Sequence, residues 1–128
     1  MSASAQETFD YVVKAVIEQG RASVGQNEAG KWECRYRSQD GCKCAAGHLV
    51  PDDKYSADFE GWDFGLVNRK YLNLDHGQMI LQLQYAHDNS ALESRGDEHV
   101  LVADEVFVKR FRRAAKGVAR TYGLEMVQ

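Results

Sequence analysis

The residues of this chain best suited to chemistry are three crowded cysteines and a scatter of histidines. Cys34, Cys42 and Cys44 fall within eleven residues, His48 follows closely, and His76, His87 and His99 lie further on. Structural zinc takes a tetrahedron of thiolate or imidazole ligands, usually supplied by cysteine pairs about two to four residues apart. Cys42 and Cys44 are separated by one residue, so on a strand both project from one face with α-carbons roughly 6.6 Å apart. With Cys34 and His48 they could reach one zinc ion, but no second ligand pair follows. The competing reading makes Cys34 and Cys44 small buried hydrophobes beside Trp32 and Tyr36, and the spacing favours it.

A cysteine nucleophile would pair Cys42 or Cys44 with His48 or His87. It needs a thiolate stabilised by a cation or a helix N-terminus. Lys43 is adjacent, yet on a strand it points to the opposite face. Acid–base work by His87-Asp88 with Asp52-Asp53 competes with turn and capping duties for acids after Pro51. It competes also with a helix-end place for His87, where an imidazolium suits the helix dipole. The enzyme reading that survives is a small metal-binding or thiol-dependent enzyme using Cys34, Cys44, His48 and His87. No glycine-rich phosphate loop or serine elbow accompanies these residues.

The other chemical feature is charge. Lys109, Arg110, Arg112, Arg113, Lys116 and Arg120 give +6 with no acid among them; the chain carries −3 overall, so the remainder carries −9. Six cations on one helix could contact phosphates. They are also what the solvent side of an amphipathic helix looks like, and the acidic remainder would repel a long duplex. A partner protein with an acidic patch fits the polarity at least as well.

The elements that must position these residues follow from periodicity. Phe9, Val12, Val13, Val16 and Ile17 recur at helical spacing, predicting a helix over 6–19 that Gly20 ends. Residues 21–30 read as a polar loop. Lys31 to Arg37 alternates, with Trp32, Cys34 and Tyr36 on one face, and leads into Ser38-Gln39-Asp40-Gly41, a turn signal. A three-residue Gln39-Asp40-Gly41 loop would set Tyr36 opposite Cys44; a two-residue Asp40-Gly41 turn would pair Arg37 with Cys44. Both fit the acid–glycine turn, and the first is preferred. After a tight connection closed by Pro51, the apolar residues Phe59, Trp62, Phe64, Leu66 and Val67 suggest a short core-covering helix. Asn73 or Asp75 is expected to cap a helix running to about His87, residues 88–96 a polar loop, and a last helix from Ala103 or Asp104 to Gly123 buries Phe107, Phe111, Ala114, Ala115, Val118 and Tyr122. The expected fold is α+β: an N-terminal helix, one β-hairpin at about 31–45, and two or three further helices in a single domain, 1–128. No signal peptide is visible and no apolar run approaches bilayer-spanning length, so the expected setting is the cytoplasm, without membrane attachment.

At the hairpin the residues resemble a known family. Cys34-Arg35-Tyr36-Arg37, Asp40-Gly41, Lys43-Cys44-Ala45-Ala46-Gly47 and Leu49-Val50-Pro51-Asp52-Asp53 with Tyr55 are similar to small proteins of tailed bacteriophages and proteobacterial, prophage-like genes. The helix ending at Gly20, the Glu60-Gly61 pair, and Leu81-Gln82-Leu83-Gln84 with His87-Asp88 extend the resemblance over most of the chain. Family members usually carry a leucine-like residue where Cys42 stands and vary at the position of His48, which implies that neither is a general metal ligand. The resemblance implies a phage accessory protein acting in the bacterial host cytoplasm by binding a host macromolecule, for instance to inhibit a defence or regulatory component. The expected function is therefore non-catalytic binding to a host or phage protein, with Arg35, Arg37 and the basic last helix as electrostatic handles. Nucleic-acid binding through that helix is the alternative, and a homodimer is compatible with the sequence.

Overall fold

The computed structural model describes residues 3–126. The chain is α+β, with helices dominating and two small antiparallel hairpins. Helix α1 spans Ala5–Gln19. A capping box starts it: the Glu7 N–H donates to Ser4 Oγ (3.1 Å) and the Ser4 N–H to Glu7 Oε1 (2.9 Å), satisfying donors that the first turn leaves free. Gly20 ends it in the left-handed region at φ 77°.

The expected polar loop after α1 contains a strand. β1, Val24–Gln26, pairs antiparallel with β2, Trp32–Cys34, placing Val24 opposite Cys34 and Gln26 opposite Trp32. The best strand of the sequence therefore turns backward for its ladder, and the hairpin expected over 31–45 is reduced to its tip. Toward 42–45 it makes a single bridge, Arg37 with Lys43. The bonds flanking that bridge, Ser38 N–H to Cys42 O (2.9 Å) and Cys44 N–H to Tyr36 O (3.3 Å), set Tyr36 opposite Cys44. The preferred three-residue loop is therefore present, with Gly41 at φ 88°.

After two 3₁₀ turns, Ala46–Leu49 and Ala57–Phe59, the short helix α2, Phe64–Val67, is capped by Asp63 and runs into a π-turn at Asn68–Leu72. Helix α3 spans Gly77–Ala91. Neither Asn73 nor Asp75 caps it. His76 occupies the cap without a side-chain bond, and Asn73, left-handed at φ 56°, ends the turn before. The side chain of Asn68 holds this corner instead, accepting from the Leu74 N–H (2.7 Å) and donating to the Leu74 carbonyl (3.2 Å). The helix also continues one turn beyond His87, so the imidazole lies inside the element and not at its dipole end.

Residues 88–96 likewise depart from the expected loop. β3, Leu92–Arg95, pairs with β4, Glu98–Leu101, around a two-residue Gly96-Asp97 turn. The sequence signal was that turn, masked by the polar strands on either side. Helix α4, Asp104–Thr121, buries Phe107, Phe111, Ala115, Val118 and Ala119. Ala114 is partly exposed, and Tyr122, expected inside, sits at the helix end and is exposed. The core joins α1, α3 and α4 through Phe9, Val12, Val16, Ile80, Leu83, Phe107 and Phe111, with the 36–67 segment laid over it through Tyr36, Phe59, Phe64 and Val67.

Candidate functional site

The segment from Tyr36 to Trp62 is interlocked through one carboxylate. Glu60 accepts the Tyr36 N–H at Oε1 (2.8 Å), and the Arg37 N–H (3.1 Å) and Tyr55 hydroxyl (2.6 Å) at Oε2. It thereby takes the place of a strand neighbour beside Tyr36 and Arg37, which explains why the β2 ladder stops at Cys34. Arg37 donates to the Val50 carbonyl (2.8 Å), pairs with Asp52 (2.9 Å) and lies 4.5 Å over the Tyr55 ring. Arg35 donates to Glu33 and the Gln26 carbonyl. Both arginines are mostly buried along their side chains and turned inward. The expectation that they stand exposed as handles is corrected.

A second network runs from this segment into α3. Gln84 accepts the Ala46 N–H (2.8 Å) and donates to Asp88 Oδ1 (2.9 Å). The same oxygen lies 2.9 Å from His87 Nδ1, while the Ser23 N–H donates to His87 Nε2 (3.1 Å). A backbone N–H can only donate, so Nε2 carries no proton; the proton sits on Nδ1 and is given to Asp88. His87 is fully buried, and both of its ring nitrogens are taken by protein partners. Ser23 completes the string by donating its hydroxyl to the Cys42 carbonyl (3.2 Å) and accepting the Arg35 N–H (3.0 Å). The signal in the sequence was the spacing of Gln84, His87 and Asp88, which share one helical face.

The metal-ligating groups are sorted differently from the expectation. Cys34, His87 and Asp88 come together, with one donor atom from each within 4.8 Å of the others. Among the described residues Cys42, Cys44 and His48 do not join them, which overturns the four-ligand set Cys34, Cys42, Cys44 and His48. The hydrogen bonds of His87 also oppose coordination. Metal at Nδ1 would send the proton to Nε2, against the Ser23 N–H. The thiols are protonated: burial, then the Asp88 charge, pushes the Cys34 thiol far above its usual range, and burial does the same to Cys44. Burial, then Asp40, raises Cys42. His48 is held near a pKa of about 4 by burial and then by Lys43, so at neutral pH it is an uncharged imidazole with a buried, unbonded Nε2. Cys44 Sγ accepts the Gly47 N–H at 3.2 Å. Expected of these thiols is labelling by a disulfide reagent on the order of a hundredfold slower in the native protein than after unfolding in denaturant. Fast native labelling, or stoichiometric zinc in purified protein, would overturn the assignment of the cysteines to packing.

Two surfaces among the described residues bear most on binding. One is an open cleft of about 700 Å³ between β2, the Gly61–Phe64 turn and α3, with Cys34 and Gln84 among its lining residues. The other is the solvent side of α4. The chain matches no family model, no curated protein and no solved structure. Function must therefore be argued from these surfaces themselves.

Proposed function

We infer that the chain is a non-catalytic binding protein whose α4 face docks on an acidic patch of a partner protein. This agrees with the phage-type accessory role that its sequence resemblance implies, binding a host component such as a defence or regulatory factor. One observation carries the reading. Lys109, Arg113, Lys116 and Arg120 follow one another at four-, three- and four-residue steps on α4, all exposed, and none makes an ion pair among the described residues. Arg110, by contrast, is held by Glu93 at 3.0 Å. At about 1.5 Å of rise per residue the stripe is roughly 16 Å long, opposite the face that buries Phe107 and Phe111. Such a row steers association with an anionic surface. The thiols and imidazoles enter no arrangement that would favour catalysis, since His87 spends both nitrogens on structure.

The test replaces Lys109, Arg113, Lys116 and Arg120 with glutamate. All four positions are exposed and glutamate is a good helix former, so the fold is retained. A protein recovered from bacterial lysate by the wild type, identified by mass spectrometry and retained about tenfold less by the variant, is the expected result. Recovery that ignores the substitutions overturns the assignment of the surface. Binding of a DNA duplex at physiological salt, with affinity falling steeply as salt rises, would replace the partner protein by nucleic acid.

A further inference from the structure

The geometry points to a second, separate binding site: the cleft between β2 and α3 takes a guanidinium group, seated on aromatic walls and bonded to carboxylates. Six residues define it: Glu33, Arg35, Trp62, Asp63, Tyr85 and Asp88. Trp62 forms one wall, its indole held by stacking on Tyr71 at 6.1 Å and 23°. Tyr85 forms another, 42% exposed, its hydroxyl fixed by donation to Asp63 Oδ1 at 3.1 Å. Aromatic faces fixed in this way attract a planar cation.

The charges sort the ligand class. Arg35 is matched by Glu33 at 3.0 Å. Asp63 has no cationic partner among the described residues; its oxygens accept from the Tyr85 hydroxyl and the Gly65 N–H. Asp88 faces Gln84 and the Nδ1–H of His87, both bonded at Oδ1, and the protonated Cys34 thiol, and no cationic side chain pairs with it among the described residues. The cleft thus presents two carboxylates without a cation, one of them oriented by a buried network. Cys34, Tyr36 and His99 are the further titratable groups of its lining, and burial raises the first two so that they carry no charge at neutral pH. A guanidinium lays its flat face on indole or phenol while its edge N–H groups reach carboxylate oxygens, which a compact ammonium cannot do at once. The site stands independently of the α4 surface, and either can fail alone.

The probe is arginine amide, against citrulline amide, which keeps the shape and replaces guanidinium by neutral urea. Titration followed by the Trp62 indole NMR resonance is expected to show saturable binding of arginine amide and about tenfold or more weaker binding of citrulline amide. In the variant carrying Asp63→Asn and Asp88→Asn the acceptor oxygens and the helix cap persist, so an unchanged melting temperature certifies the fold. Affinity for arginine amide should fall about tenfold or more. A blocked Gly-Arg-Gly peptide that binds more tightly than arginine amide makes a polypeptide the source of the group; weaker binding makes it a small molecule. Absence of saturable binding, equal binding of citrulline amide, or undiminished affinity in the folded variant would overturn the assignment.

Discussion

Gly47→Ala is expected to destabilise the protein by roughly 3 kcal/mol, at the upper end of overpacking costs. A Cβ at position 47 would lie 2.3 Å from the Tyr36 carbonyl oxygen, 3.2 Å from the Tyr36 carbonyl carbon and 3.3 Å from Cys44 Sγ. The clash is with backbone, so no rotamer change relieves it. Nor can Tyr36 retreat: its N–H is bound to Glu60, its carbonyl accepts from the Cys44 N–H, and its hydroxyl donates to the Trp62 carbonyl at 2.7 Å. In a chain of this size the loss should appear as a melting temperature lower by roughly 10 °C. Gly117→Ala is the control of opposite sign. Nothing lies within 4 Å of its Cβ position inside α4, and alanine there should stabilise by up to about 1 kcal/mol through helix propensity. Thermal unfolding of the two variants side by side checks both; equal melting temperatures would contradict the close approach of residues 36 and 47.

His87→Ala should cost about 3–5 kcal/mol, since it combines a cavity with a stranded donor. The ring is fully buried, packs edge-on to Phe107 at 5.3 Å, and supplies the acceptor for the Ser23 N–H. Removing it leaves that N–H unbonded in the interior and releases Asp88 from one of its two donors. The loss should exceed that of Asp88→Asn, which keeps an acceptor oxygen for Gln84 and for His87. Denaturant titration of both variants gives the comparison. A His87→Ala midpoint matching the wild type would show that the imidazole is not the link between α3 and β1.

These two positions mark where local sequence stops being informative. Gly47 reads as one small residue in a short connection, because the atom that excludes a side chain belongs to Tyr36 and approaches only through the hairpin register. His87 reads as a helix end, because the polar residues after it resemble a loop, while β3 is held by pairing with β4 and not by its own alternation. Cys34 and His87 are more than fifty residues apart in the chain, and no periodicity connects them. Glu60 carried a resemblance in sequence but no visible task; its three donors come from positions 36, 37 and 55.

What the sequence determined by itself is what short-range physics controls. Helices α1 and α4 follow from apolar residues at helical spacing, the end of α1 from Gly20, a turn at Asp40-Gly41 from that acid–glycine pair, and the basic row of α4 from its own composition. Tertiary structure decided the rest. It chose the partner of β2, because Glu60 took the amide groups of Tyr36 and Arg37 and Val24–Gln26 took those of the strand. It turned Arg35 and Arg37 inward, buried Cys42 and Cys44 while leaving Cys34 partly buried on the cleft wall, and drew Asp63 and Asp88 to one cleft. Each of these depends on which distant groups satisfy a buried donor or charge, and that choice exists only once the chain has closed on itself.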